Sequence, residues 1–288
     1  MAPAPIPPPR ESGHTRGTNL PLYWCRYGPA GAPRVLVLHG GPGAHHDYLL
    51  PHLLDLADEF ELLFYDQRGG GRSRTDDPAP ITWQVHVGDL ALAAAELVPG
   101  PVHLLGYSWG ALLALLYAVE SAGGRVTPTP ASLTLIDPAP VSRIFRDAFE
   151  AEFARRANGP VIQAMRAELL ASGLRERDPA AYKERSFELS VAPYFHDPNA
   201  AQHLTPFRVT GRVQQQVWES LGDFDLPPLL TAVRAPAAKA ACVVTSSIGC
   251  EPTKTARPSR MRSSFSFPVA SILIHSYGKN CRICPAII

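Results

Sequence analysis

Short, continuous apolar runs alternate with segments of helical periodicity along residues 20–140. The runs RVLVLH (34–39), ELLFY (61–65) and VHLLG (102–106) each end at a glycine-containing loop. Uninterrupted apolar runs of this length are typical of strands that are buried on both faces. Residues 22–27 and 132–136 fit further strands, and 46–57, 83–97 and 111–121 have helical spacing. The alternation predicts an α/β fold, with a mostly parallel sheet and helices on both faces.

The rest of the chain divides by composition. Residues 140–225 are rich in Glu, Arg, Ala and Gln, with helical stretches at 146–156, 161–172 and 212–221. We expect a helical cap over one edge of the sheet; the alternative is a set of surface helices with no lid role. The predicted organisation is a Pro-rich flexible lead (1–19), a core (20–139), the cap (140–225), a return to the core (226–236) and an atypical, basic, poorly ordered tail (237–288).

Composition at first describes one ordinary soluble protein. Hydrophobic residues make up 45% and charged residues 18%, enough for a real core. The 27 basic and 26 acidic residues nearly cancel, which argues against a nucleic-acid or membrane-surface partner. The sequence contains no run of about 18 apolar residues, so we expect no membrane span and a cytoplasmic location.

The net charge of +1 is the sum of two segments of opposite charge. The first 236 residues carry 20 basic and 25 acidic residues, whereas the last 52 carry seven basic residues and one acid, Glu251. Four of the five cysteines also lie in that tail. A boundary this sharp indicates a linker, a tail or a change in the origin of the sequence. The CxxC at 281–284 has no second half, so we expect an incidental pair rather than a metal or redox site.

The motif GYSWG (106–110) is the strongest chemical signal. It follows the strand VHLLG and opens the helical segment ALLALLYAV. A serine on a sharp strand-to-helix turn is the arrangement of a nucleophile elbow. Ser108 is therefore the predicted nucleophile.

The motif HGGPG (39–43) follows the strand RVLVLH. Glycines there allow backbone N–H groups to face a carbonyl oxygen that gains negative charge. We expect an oxyanion hole made by the N–H groups of Gly41 and Trp109. A phosphate-binding loop is excluded, because no Gly-Lys-Ser/Thr follows either glycine cluster.

A third motif, DQRGGGRS (66–73), follows the strand ELLFY. Its charged residues Asp66 and Arg68, like His39 and Gly40 of the second motif, are expected to support the loops around the site rather than to react.

HGGPG, DQRGGGRS and GYSWGA, in this order and spacing, resemble the proline iminopeptidase branch of the alpha/beta-hydrolases. The resemblance is specific to about residue 138 and looser to Pro236. It implies an eight-stranded hydrolase sheet with a helical cap, a serine nucleophile, no metal and no cofactor. It also implies a small peptide, amide or ester substrate; relatives remove an N-terminal residue, often proline, through an acyl-enzyme.

Two departures from the family pattern affect this expectation. Residues 205–211 resemble a family stretch that binds the substrate ammonium group, but Pro206 stands where Glu is usual. Glu184, Glu188 and Glu219 are other acids of the predicted cap. A simple esterase or amidase of the same fold is therefore the alternative activity.

The second departure is the absence of the family's acid and histidine motifs beyond the cap. The tail offers Glu251 and His275 as one possible pair. The preferred interpretation is that the tail replaces the original C-terminus, through a frameshift, unspliced sequence or alternative splicing. The chain would then be a catalytically incomplete hydrolase-like protein, with incomplete C-terminal strands and an exposed sheet edge beside strand 132–136.

Overall fold

The computed structural model describes residues 6–240. Within this range the strands are β1 (Glu11–His14), β2 (Tyr23–Tyr27), β3 (Arg34–Leu38), β4 (Glu61–Tyr65), β5 (Val102–Tyr107), β6 (Pro130–Ile136) and β7 (Ala237–Ala240). These seven strands form one sheet in the order β1-β2-β4-β3-β5-β6-β7. β1 pairs antiparallel with β2, and β2 pairs antiparallel with β4, whereas the other pairings are parallel. The predicted mostly parallel sheet is thereby confirmed.

Apart from Arg34, Glu61 and His103, the strands β3, β4 and β5 carry no charged or strongly polar side chain, because each face is covered. In β3, Leu36 and Leu38 pack into one cluster of buried residues, and Val35 and Val37 pack into a second cluster on the opposite face. The first cluster contains the apolar sides of two long helices, and the second contains the short helix after β3. Helices therefore lie on both faces, as the uninterrupted apolar runs predict.

Nine α-helices lie between the strands along residues 6–240. The predicted helix at 46–57 is a single α-helical turn between two 3₁₀ turns, Asp47–Leu49 and Leu54–Asp58. The helices are α1 (Leu50–Leu53), α2 (Trp83–Leu97), α3 (Trp109–Ala122), α4 (Arg143–Ala157), α5 (Pro160–Ala171), α6 (Leu174–Arg177), α7 (Pro179–Val191), α8 (Gly211–Leu221) and α9 (Pro227–Leu230).

Strand β1 corrects the expectation that residues 1–19 form only a flexible lead. Its sequence, Glu-Ser-Gly-His, lacks the apolar alternation of a strand that covers a core. The strand instead forms through its backbone, with Gly13 opposite Trp24 and His14 opposite Tyr23 in the ladder with β2. An edge strand held by main-chain pairing leaves little trace in a hydrophobic pattern.

Strand β7 corrects the expectation for the start of the tail. Residues 237–240 pair in parallel with β6, and Ala240 lies opposite Ile136. The edge beside β6, expected to be exposed, is therefore covered along these four residues. The proposed tail pair, Glu251 and His275, and the CxxC at 281–284 lie outside the described residues. The resemblance implies eight strands, of which residues 6–240 contain seven.

The segment 140–225 contains helices α4 to α8, together with one isolated bridge between Ser142 and Asp225. Helices α5 and α7 share small apolar clusters of their own. Helix α8 differs, because Val213, Val217 and Leu221 join the main core beside α2 and α3. Among residues 6–240, no helix is long and apolar enough to cross a membrane.

Candidate functional site

Ser108 occupies a strained turn between β5 and α3. Its backbone has φ 52° and ψ −117°, a conformation that non-glycine residues rarely adopt. Its side chain is half-buried, and no described residue forms a hydrogen bond with its hydroxyl. A strained serine with an uncommitted hydroxyl, at the positive N-terminal end of a helix, has the geometry of a nucleophile elbow.

The glycines on either side of Ser108 are needed for close backbone contacts. A Cβ on Gly106 would lie 2.4 Å from the carbonyl oxygen of Gly110. A Cβ on Gly110 would lie 2.1 Å from the carbonyl oxygen of Leu38 in β3. Both distances are far below van der Waals contact, so the turn can be this tight only with glycine at each position.

The HGGPG loop lies directly against this turn. A Cβ on Gly40 would lie 3.1 Å from the Ser108 Cβ, and the Gly40 N–H donates to the Tyr48 hydroxyl at 2.8 Å. Gly41 has φ +55° and lines the same cavity as Ser108 and Trp109. Within residues 6–240, the N–H groups of Gly41 and Trp109 have no hydrogen-bond acceptor. Two uncommitted amides beside a serine can stabilise an oxyanion.

Gln67 ties the three site loops together. Its side-chain amide donates to the His39 carbonyl at 2.8 Å, and its side-chain oxygen accepts from Trp109 Nε1 at 2.8 Å. Its backbone N–H donates to His39 Nε2 at 3.0 Å, while His39 Nδ1 bonds to the Gly40 carbonyl at 2.9 Å. Burial lowers the pKa of His39 to about 4. His39 is thus a neutral histidine with both nitrogens occupied, which excludes it as a base.

Asp66 lies beneath the loops in a second buried group. Its carboxylate accepts from the His46 N–H at 3.0 Å, from His46 Nδ1 at 2.7 Å and from the Arg72 N–H at 2.8 Å. His46 Nε2 lies 3.2 Å from the Cys25 sulfur. Burial alone would lower the pKa of His46, but its bonds to Asp66 and Cys25 raise it to about 9. Burial opposes ionisation of Asp66, and the His46 hydrogen bond outweighs it, holding that pKa well below its usual range.

Arg68 lies away from the serine. Its guanidinium makes two hydrogen bonds of 2.7 Å to Asp89 on α2, which fixes the loop after β4 to that helix. Neither Asp66 nor Arg68 lines the cavity at Ser108.

A cavity of about 880 Å³ opens over Ser108. Its floor is Gly41, Ser108 and Trp109, and its wall comes largely from α4, α7, α8 and the loop before α8. The volume suits a small organic molecule or a short peptide. Most of the side chains that line the wall are aromatic or apolar, namely Tyr48, Phe149, Phe153, Phe187, Val191, Tyr194, Phe207, Val209 and Trp218.

Arg146, in the cavity wall, is linked to Trp109 in the floor through the ring of Trp218. The Arg146 guanidinium lies 3.7 Å from the centroid of the Trp218 ring and pairs with Glu150. The Trp218 ring packs edge-on against Trp109 at 5.5 Å. Burial lowers the pKa of Arg146, though it stays a cation at neutral pH.

The three acids considered for the predicted cap occupy different places. Glu219 lines the cavity and accepts from the side-chain amide of Gln215 at 2.7 Å. Glu188 pairs with Arg185, and neither Glu188 nor Glu184 lines the cavity. Of the segment 205–211, Phe207, Val209 and Gly211 line the cavity, whereas Pro206 does not.

None of the histidines of residues 6–240 lines this cavity. Over the same residues, no three His, Cys, Asp or Glu side chains are grouped so as to hold a metal ion.

Two residues of this site, Gln67 and Asp137, were not predicted from the sequence. Gln67 stands inside the DQRGGGRS motif, but only the folded loops reveal that it bonds to residues of the other two motifs. Asp137 follows β6 directly and lines the cavity. An acid immediately after a buried strand is a signal that the sequence does contain, because ligands and catalytic groups gather at the carboxyl ends of parallel strands.

Comparison with known proteins agrees with this geometry. Residues 35–268 match the Alpha/beta hydrolase family. A proline iminopeptidase from Saccharolobus solfataricus is 41% identical over 118 residues, which are 38% of this chain and 36% of that relative. The matched region therefore spans about a third of the relative's length.

Solved structures resemble the chain over a longer range. The crystal structure of a Mycobacterium smegmatis proline iminopeptidase aligns with a TM-score of 0.53 and 23% identity, covering 80% of each chain. The naproxen esterase of Bacillus subtilis aligns with a TM-score of 0.50 and 16% identity, covering 81% of this chain and 74% of the esterase. At these identities the likeness concerns the fold.

Proposed function

The chain belongs to the alpha/beta hydrolase family, and from that premise we propose that it is a serine hydrolase of the proline iminopeptidase type with Ser108 as its nucleophile. The observation that carries the proposal is the Ser108 turn, with φ 52° and a position in the lining of the cavity. Strain at a non-glycine residue persists where the surrounding structure enforces it, and such residues cluster at active sites.

In the proposed reaction, the Ser108 oxygen attacks the carbonyl carbon of a bound amide or ester. The N–H groups of Gly41 and Trp109 stabilise the resulting oxyanion. Collapse of the intermediate expels the amine or alcohol and leaves an acyl-enzyme, which water hydrolyses. His39, Gly40, Asp66 and Arg68 support the loops and do not touch the reacting atoms.

A serine hydroxyl needs a base at neutral pH. Because no histidine of residues 6–240 lines the cavity, a working enzyme needs a base from the chain beyond Ala240, where His275 is the one histidine of the sequence; without that base, the chain is the catalytically incomplete hydrolase-like protein that the tail composition favours. His275→Ala is the variant that tests this assignment. Hydrolysis equal to that of the unaltered chain would count against it.

An amine-bearing substrate is supported by the charges of the cavity wall. Glu150 is matched by Arg146, whereas Glu219 meets only the neutral amide of Gln215 among the polar contacts of the described residues. A carboxylate without a counter-charge favours a substrate cation, as an N-terminal ammonium group would supply. The aromatic wall suits an apolar residue such as proline beside it.

Hydrolysis rates on three substrates test the proposal: prolyl and alanyl chromogenic amides, and a simple acyl ester. We expect Ser108→Ala to abolish hydrolysis of all three. We expect Glu219→Gln to raise KM for the amino-terminal amides about tenfold or more while leaving the ester unchanged. An ester turned over well, with both amides inert, would favour the esterase alternative. Hydrolysis that persists in Ser108→Ala would overturn the assignment of the nucleophile.

A further inference from the structure

Arg146 differs in charge from every other ionisable residue of the cavity lining. In the described part of the chain it is the one basic residue there, and the charged residues beside it are acids: Asp137, Glu150 and Glu219. Only 19% of its side chain is exposed, and burial lowers its pKa. Burying a cation is costly unless a partner compensates for the lost water. The Ser108 reaction gives this cation no role, so its position in the wall needs a reason of its own.

The Arg146 guanidinium is held in place without being fully occupied. It lies over the Trp218 ring, a contact that orients its planar group before any ligand binds. Its terminal nitrogen Nη2 pairs with Glu150, one helical turn along α4, but Glu150 is 51% exposed, and such pairs contribute little. A guanidinium has five N–H donors. Within residues 6–240, Nε and Nη1 of Arg146 meet no hydrogen-bond acceptor.

Tyr194 brings a second donor to the same part of the wall. Its ring is packed by Phe149 and Phe153, with centroids 6.0 Å and 4.7 Å away. Burial raises the pKa of Tyr194 and the Arg146 charge opposes this rise, so the hydroxyl lies within the field of the guanidinium. Among the described residues this hydroxyl has no hydrogen-bond partner. A guanidinium fork and a hydroxyl, both lacking acceptors, suit a carboxylate ligand.

The acid assigned to the substrate ammonium group is attached close by. Glu219 directly follows Trp218 in α8, and both line the cavity. Consecutive Cα atoms are about 3.8 Å apart, and an extended peptide spans about 3.3–3.6 Å per residue. A peptide of two or three residues carries an ammonium group and a carboxylate at such short separation. The cavity of about 880 Å³ is large enough to enclose it.

We propose that Arg146 binds the C-terminal carboxylate of the substrate, so that dipeptides and tripeptides with a free C-terminus are the substrate class of this cavity. This inference rests on the proposed function and adds a contact on the leaving-group side of the scissile bond. The Arg146 fork donates to the carboxylate oxygens, and the Tyr194 hydroxyl donates to one of them. Longer peptides and simple esters lack a carboxylate at this place.

The test compares two ligands that differ in one group, prolyl-alanine and prolyl-alaninamide. Their binding is measured by calorimetry on the full chain carrying Ser108→Ala, at concentrations up to about 10 mM. This variant lacks the proposed nucleophile, so the measurement does not depend on a catalytic base. We expect the free acid to bind about tenfold or more tightly than the amide, because charge-assisted hydrogen bonds form only with the carboxylate.

Three further variants, each made in the Ser108→Ala chain, assign the preference to one side chain. Arg146→Met keeps an apolar stem on Trp218 but removes the donors, and we expect acid and amide to bind equally. Arg146→Lys keeps the charge without the fork and should retain part of the preference. Arg143→Met is the matched control, because Arg143 pairs with Asp147 on the same helix and does not line the cavity. It should keep the full preference.

Three results would overturn the inference. The first is equal binding of acid and amide before Arg146 is altered, or binding of neither ligand to the folded protein. The second is a preference that survives in Arg146→Met. The third is an equal loss of affinity for both ligands in Arg146→Met, which would assign Arg146 to the shape of the wall.

Hydrolysis by the chain with Ser108 intact separates this inference from the proposed function. Ser108-dependent hydrolysis without a preference for the free acid would remove the inference alone. A preference for the free acid without any hydrolysis would remove the serine hydrolase and leave a site that binds short peptides.

Discussion

In the floor of the cavity, the loops after β3, β4 and β5 are joined by buried hydrogen bonds through Gln67, whereas in its wall the helices meet through aromatic rings and the contact of Arg146 with Trp218, and their ion pairs lie within single helices. The pair of Asp66 and His46 beneath the floor is almost fully buried, with 0% and 2% of the side chains exposed. The pair of Arg143 and Asp147 on the wall helix α4 does not line the cavity and is 49% and 55% exposed. Buried pairs are costly to break, and exposed pairs contribute little. The floor is therefore built for fixed geometry, and the wall can vary with the substrate.

The largest expected effect concerns the contact between β3 and α3 in the floor. Gly110→Ala places a methyl group 2.1 Å from the Leu38 carbonyl oxygen. We expect a loss of about 4 kcal/mol in the free energy of unfolding, measured by urea titration. Gly88→Ala on α2 is the control, because a Cβ there meets no atom within 4 Å; it should stabilise the protein by about 0.5–1 kcal/mol. Equal effects of the two substitutions would contradict the tight turn.

The second effect compares a buried with an exposed carboxylate. Asp66→Asn removes the buried carboxylate of the His46 pair and leaves only the partly exposed Asp47, 3.1 Å from His46 Nε2; we expect a loss of about 3 kcal/mol in the free energy of unfolding at neutral pH. Asp147→Asn on α4 should change the same quantity by less than about 0.5 kcal/mol. Similar losses in both variants would remove the distinction between floor and wall.

The third effect concerns the Gln67 hydrogen bonds. Gln67→Met keeps the side-chain length but leaves Trp109 Nε1 and the His39 carbonyl without this partner. We expect a loss of about 2 kcal/mol in the free energy of unfolding, since an unsatisfied buried polar group costs about 1–3 kcal/mol. Gln163→Met on α5, whose amide is exposed, is the matched control and should be close to neutral. A neutral Gln67→Met would show that the loops are held by packing alone.

The smallest expected effect is a pH dependence of the free energy of unfolding, caused by His86 on α2. His86 is buried, its ring nitrogens lack hydrogen-bond partners within residues 6–240, and burial lowers its pKa to about 3 from 6.5. Between these values the unfolded chain binds the extra proton, so stability falls as the pH drops below 6.5. From about pH 7 to about pH 5.5, the unaltered chain should lose about 1 kcal/mol more than His86→Leu does. An equal loss in both would show that His86 is not the group responsible.

His46 should produce the opposite trend at higher pH. Its folded pKa is raised to about 9, so its contribution is complete below 6.5 and is lost as the pH rises toward 9.

The sequence predicts the floor better than the wall for a physical reason. Gly106 and Gly110 are required by contacts under 3 Å, and such constraints leave a motif. The strands β3 and β4 are covered on both faces and leave continuous apolar runs. By contrast, Arg146 and Trp218 lie on separate helices, and nothing in either helix alone indicates that they meet.

Main-chain pairing is the other feature that the pattern does not reveal. β1 and β7 are short edge strands held by backbone hydrogen bonds, and their sequences, ESGH and AAKA, carry little β-propensity.

The most direct test of Ser108 as the nucleophile is the mass of the intact chain after treatment with a fluorophosphonate, followed by peptide mapping. We expect one adduct for each folded chain, located on Ser108 and absent from Ser108→Ala. An adduct on another residue, or none on folded protein, would contradict it.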